Sequence, residues 1–177
     1  MNLAWQWFSP ACGISGTEMR YVVWAFFFAF LTDQLSKLWV MRGLGMQVGE
    51  RLDILPPLLV FKFGWNDGIN FGLFGGNPEG ARWVLIGVAL LISLALLWWA
   101  RRNITRPVAL VGVGLIVGGA LANALDRLLY GAVADFLNMS CCGINNPFIF
   151  NIADIWIFAG AFAIVLFDEK KDGTSTA

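Results

Sequence analysis

Four stretches of this chain are apolar over close to the length a helix needs to cross a bilayer, about 20 residues for roughly 30 Å of hydrocarbon. They are Tyr21 to Met41, Trp83 to Ala100, Pro107 to Leu125, and about Phe150 to Phe167. No other feature limits the fold as strongly. In lipid, backbone amides have no water to bond, so only helices or closed barrels span. Composition agrees: 58% of the 177 residues are hydrophobic and only 14% are charged. An ordinary water-soluble domain is nearer a quarter charged. The reading is an all-α membrane protein with four transmembrane helices.

Basic residues in short loops set orientation. Arg101, Arg102 and Arg106 crowd the link between spans two and three, Lys170 and Lys171 follow span four, and Arg20 precedes span one. With four spans these fall on one side, which becomes cytoplasmic along with both termini. Arg42, Arg51, Lys62, Arg82 and Arg127 lie opposite, so the bias is modest. One transmembrane domain, 1–177, is expected, with a short tail at 1–19 and a cytoplasmic tail at 168–177. The tail at 1–19 lacks the basic start and apolar core of a signal peptide. Gly114 and Gly118, four apart in span three, read as a close helix contact.

The connection 43–81 is too patterned for a plain loop. Phe61, Phe63 and Trp65 alternate with Lys62 and Gly64, the period of a strand. Asn66-Asp67-Gly68 is a turn signal, and Ile69 to Phe74 would return as a second strand. A small periplasmic β-sheet in this first outer loop is expected.

Several classes of chemistry are excluded. Net charge is zero, which removes nucleic acid as a partner. There is no histidine, so no His-dependent triad or His metal site is possible. Cys12, Cys141 and Cys142 have no zinc spacing, and adjacent cysteines rarely pair, so no disulfide framework, metal or cofactor is expected.

What remains is a set of acids beside apolar segments: Asp33, Asp126, Asp135 and Asp154. A carboxylate in hydrocarbon costs at least ~2.5–3.5 kcal/mol, so each needs a reason. The assumed topology puts all four near the outer rim. Asp33 and Lys37 are spaced i, i+4, which suits a local ion pair. Asp126 precedes Arg127 and would cap or pair locally, in a structural or a functional role. Asp135 and Asp154 have no neighbouring base in sequence. Two carboxylates held close cannot both ionise cheaply, so one keeps a proton and the other acts as a base. Such a pair activates water against an amide without Ser or Cys. A transporter or proton relay, or an assembly protein tied by its acids, are the competing readings.

The motifs resemble one family. "DQLSK" at Asp33 to Lys37, "NDGINFGLF" at Asn66 to Phe74, "GGALANALDRLLYGAVADF" from Gly118, and "FNIAD" ending at Asp154 occur in the order seen in the lipoprotein signal peptidases. These signal peptidases of type II are aspartic proteases of the bacterial inner membrane. The resemblance implies Asp135 and Asp154 as catalytic residues. It implies Asn66, Gly68, Asn123, Arg127 and Asn151 at the substrate site, and Asp33, Lys37 and Asp126 as support. It implies a prolipoprotein substrate, diacylglyceryl-modified on a cysteine and cut just before it, with the active site at the periplasmic face. Membrane lipids are implied partners, globomycin-type peptides inhibitors, and a monomer the expected state. Ala122 stands where the family usually has Gly, and Asn70 where Ala is common. "NMSCCGINNP" from Asn138 is an unusual lid-like segment.

Overall fold

The computed structural model describes residues 16–68, 78–141 and 146–168. Helix α1 (Gly16–Leu38) runs into a π-helical turn at Trp39–Gly43, and α2 (Pro78–Asn103), α3 (Pro107–Tyr130) and α4 (Ile152–Phe167) follow. Their ends have identifiable causes. Proline opens α2 and α3, where its missing N–H costs nothing. Glu79 lies in the first turn of α2 and Arg101 and Arg102 in its last, opposite in sign to the helix dipole at each end. Gly131 ends α3 at φ 89°, returning its N–H to the Arg127 carbonyl.

Helix α3 is the hub, packing against α1, α2 and α4. Its glycines make two close faces. A Cβ on Gly118 would stand 2.5 Å from the Phe26 carbonyl oxygen of α1, and Gly114 lies equally close against Val22. On the other side, a Cβ on Gly112 or Gly119 would stand 2.6 Å from the Gly160 or Ala153 carbonyl oxygen of α4. Backbones thus approach where larger side chains would hold the helices apart. Among the described residues, only α2 and α3 are both long and apolar enough to cross a membrane by length and composition. Charges interrupt α1, and α4 has 16 residues, about 24 Å of rise. The outward faces are nonetheless apolar: Trp24 is 74% exposed, Leu91 68%, Phe158 68% and Val165 79%. Apolar faces of this extent are unstable in water and ordinary in lipid.

The sheet is antiparallel, ordered β1 (Arg51–Leu55), β2 (Leu59–Asn66), β3 (Val133–Asn138). The alternation in β2 appears as expected, with Phe61 and Phe63 buried and Lys62 exposed. The third strand, however, comes from the segment after α3 and not from the first outer loop. The expected return strand, Ile69 to Phe74, lies outside the described residues. Both edges of β2 are already taken, by β1 and β3. The Asn66-Asp67-Gly68 turn forms locally, with the Gly68 N–H donating to Asn66 Oδ1 at 3.0 Å. Val40, Met46, Phe61, Phe63, Ala134 and Phe136 make the core beneath the sheet. Cys141 is in a disulfide whose partner lies outside the described residues, contrary to the expectation from spacing.

Strand β3 and the start of α4 are bound to one another. Phe136 and Leu137 donate their N–H groups to the Phe150 carbonyl at 3.1 and 2.8 Å, and Phe150 returns its own to Leu137 at 2.9 Å. Asp135 and Asp154 are therefore carried by two elements in register.

Candidate active site

Three asparagine side chains, Asn66, Asn123 and Asn151, bond the two aspartates. Asp135 is buried in β3, 1% exposed. Its Oδ2 accepts from Asn66 Nδ2 at 2.9 Å and its Oδ1 from Asn151 Nδ2 at 2.6 Å. Asp154 is in the first turn of α4. Its Oδ1 accepts from Asn123 Nδ2 at 3.1 Å, and its Oδ2 from the Asn151 N–H at 3.2 Å. Asn151 caps α4, its side chain accepting the Asp154 N–H in a reciprocal capping box. The same Asn151 amide also donates to Asn123 Oδ1 at 3.1 Å. Asn151 thus bonds both aspartates, and Asn123 is oriented so that its NH2 faces Asp154.

Lys37 completes that orientation, donating to Asn123 Oδ1 at 2.9 Å. Lys37 Nζ is also 2.6 Å from Asp33 and 2.6 Å from Asp126, all three side chains at most 1% exposed. The i, i+4 pair is present, but the salt bridge of Asp126 among the described residues is to Lys37 of another helix, and Arg127 beside it acts on it only at longer range. Helix geometry is the cause: adjacent residues point about 100° apart. Gln34, which the sequence marked only as an interruption, donates to Asp126 Oδ1 at 2.9 Å. Its place inside "DQLSK" was the available signal.

The supporting acids reach further. Asp33 Oδ1 accepts the Ala153 N–H at 2.8 Å, and Asp126 Oδ2 the Ala134 N–H at 3.3 Å. Each therefore holds the residue immediately before one aspartate of the pair. Arg127 donates to the Asn123 carbonyl at 3.3 Å and interacts electrostatically with Asp135, Asp126 and Asp154. Its buried Nε finds no partner among the described residues. Gly68, at φ 74°, lies beside it; a Cβ there would be 3.7 Å from Arg127 Nη2 and 2.7 Å from Leu85 Cδ1.

Burial pushes the Asp135 carboxyl up from 3.8 to about 6, the Asp154 charge adds to the rise, and the two asparagine hydrogen bonds oppose it. Asp135 opens on a cleft of about 650 Å³ with Trp65, Asn66, Asp67, Phe148 and Ile149. Asp154 lines an apolar groove of about 310 Å³ with Phe150, Ile155 and Phe158. No cluster of metal-ligating residues occurs among the described residues.

A solved bacterial membrane enzyme, 25% identical, superposes with a TM-score of 0.67 over 94% of this chain and 97% of its own. Lipid-facing helices around a buried carboxylate cluster, on this backbone, define a helical membrane enzyme. A family model described as signal peptidase (SPase) II matches residues 25–168. A lipoprotein signal peptidase from Caulobacter vibrioides is 42% identical over 138 residues, 77% of this chain and 79% of its own. Another, from Nostoc sp., is 40% identical over 152 residues, 85% and 90% of the two chains. The chain belongs to the signal peptidase II family. It is an aspartic endopeptidase of lipoprotein processing, and the transporter and assembly readings give way.

Proposed function

We propose that Asp135 and Asp154 are the catalytic pair, cleaving a diacylglyceryl-modified prolipoprotein just before its lipid-bearing cysteine. One carboxylate takes a proton from water as its oxygen attacks the scissile carbonyl. The other gives a proton to the leaving nitrogen as the C–N bond breaks. The observation that carries this reading is the single Asn151 side chain bonded to Asp135 while capping the helix turn of Asp154. Asp135, with its carboxyl raised to about 6, is suited to exchanging a proton near neutral pH.

Asn66, Gly68, Asn123, Arg127 and Asn151 bind and orient substrate. The Arg127 Nε, which has no partner among the described residues, is a donor for a substrate carbonyl. Asp33, Lys37 and Asp126 hold the elements that carry the pair. The chain forms one domain of four spans in the bacterial inner membrane, with 1–19 and 168–177 as cytoplasmic tails. The β subdomain of the 43–81 connection, joined by β3, lies at the periplasmic face. A scissile bond next to a lipid-bearing cysteine stays at that interface, because the acyl chains remain in the bilayer. The protein acts as a monomer among membrane lipids, and globomycin-type peptides occupy the same cleft.

The test is incubation of purified protein with a lipidated precursor, with and without Asp135→Asn. The wild type releases the signal peptide and the variant does not. Cleavage by the folded variant would refute the assignment.

A further inference from the structure

A second cavity, of about 360 Å³, lies beside the cleft and shares a wall with it: Pro147 lines both. Its lining is unlike that of the cleft. Arg51 and Lys62 both face it, and they are direct cross-strand partners in β1 and β2. Like charges directly opposite in a sheet repel, so this pairing is unfavourable for the sheet by itself. Asp53, on the same strand as Arg51, answers one charge, with Arg51 Nε 2.6 Å from its Oδ1 and both groups at least half exposed. Lys62 has no ion pair among the described residues. The neighbouring Glu50 is turned to the Gln47 N–H and does not line the cavity. One positive charge is left over.

The remaining wall is held in place. Asn138 donates its side-chain amide to the Asn146 and Phe148 carbonyls, each at 2.8 Å, and Ser140 Oγ accepts the Asn146 N–H at 3.1 Å. These bonds fix the chain that separates the cationic cavity from the cleft of Asp135. Pro147 thus lies between the cleft of Asp135 and the cavity lined by Arg51 and Lys62, where a peptide leaving the cleft past Pro147 would enter.

We propose that Arg51 and Lys62 form a specificity subsite for an acidic side chain in the first residues following the lipid-bearing cysteine of the substrate. The inference rests on the cleavage reading above and adds a preference to it. An anionic phospholipid headgroup has the same charge, but the wall shared with the cleft favours the peptide.

The experiment uses lipidated precursors identical except for Asp or Asn at the second to fourth residues after the cysteine. Each is cleaved by the wild type, Arg51→Gln, Lys62→Gln and the double variant, in phosphatidylcholine vesicles with and without phosphatidylglycerol. The readout is the ratio of kcat/KM for Asp over Asn precursors within one enzyme, so any general loss of activity cancels. The wild type should favour Asp about fivefold, through KM, as expected for a partly exposed ion pair. The ratio should shrink with added salt and fall to one in the double variant. A wild-type ratio of one, or a ratio that survives both substitutions, overturns the proposal. So does a loss equal for all precursors and confined to phosphatidylglycerol vesicles, which would assign the cavity to headgroups. Failure of the wild type to cut any precursor would instead strike the cleavage reading itself.

Discussion

Asp33 accepts the backbone N–H of Ala153 at 2.8 Å, across 120 residues of sequence. The next residue is Asp154. Asp126 does the same for Ala134, the residue before Asp135. Lys37 lies between the two supporting acids, 2.6 Å from each. One buried cation thus stabilises the two carboxylates that fix where Asp135 and Asp154, the proposed catalytic pair, stand.

Lys37→Met should therefore be severely destabilising. It leaves Asp33 and Asp126 buried without a cation, a loss of about 3–5 kcal/mol for a buried pair broken on one side. Thermal unfolding in detergent measures this. Adding Asp33→Asn and Asp126→Asn to Lys37→Met should recover part of the loss, because no uncompensated charge remains. An unchanged midpoint in the single variant would show that Lys37 does not neutralise the acids.

Asn151 separates folding from chemistry. Asn151→Ala removes a helix cap, about 0.5–2 kcal/mol, along with the donors to Asp135 and Asn123. Asn151→Ser keeps a capping oxygen but not the amide. Stability should return in the Ser variant while precursor cleavage stays low. Full cleavage by Asn151→Ser would make the asparagine a cap only.

Asp135 gives stability a pH dependence of definite sign. Its carboxyl is raised in the folded protein from 3.8 to about 6. Between those values the folded chain holds a proton that the unfolded chain releases, so this group's contribution falls as pH rises from about 4 through about 6. At pH 7 the loss is on the order of 3 kcal/mol, at ~1.36 kcal/mol per unit. Asp135→Asn should raise the thermal midpoint at pH 7 and lose that advantage near pH 4. An equal effect at both values would rule out the linkage.

Gly118→Ala should lower the thermal midpoint, since its Cβ would meet the Phe26 carbonyl oxygen at 2.5 Å and force α1 away from α3. Gly87→Ala is the control, with nothing within 4 Å of its Cβ. There the change should be neutral or slightly favourable, alanine being the better helix former. Equal midpoints for both variants would mean that the α1–α3 contact yields without cost.

Much of the helix arrangement was legible in the sequence because its signals are local. Apolar runs mark the helices, and the i, i+4 spacing of Asp33 and Lys37 anticipates their ion pair. The alternation through Phe61, Phe63 and Trp65 marked β2. Strand β3 was hidden. "VADFLN" is buried throughout, and a fully buried strand shows no alternation for a pattern to detect. Asp126 was placed beside Arg127 by proximity along the chain, whereas its cation comes from another helix.

The sequence by itself determined the helical class, the lipid-compatible surface and the inventory of acids, because hydropathy, spacing and residue type are properties of neighbours. Only the tertiary structure decided which acids meet. The bonds joining Lys37 to Asn123, Asn66 to Asp135 and Asp33 to Ala153 span 86, 69 and 120 residues. Such contacts exist only once the glycine faces of α3 have drawn α1 and α4 against it. Packing sets that approach, and no local pattern encodes it.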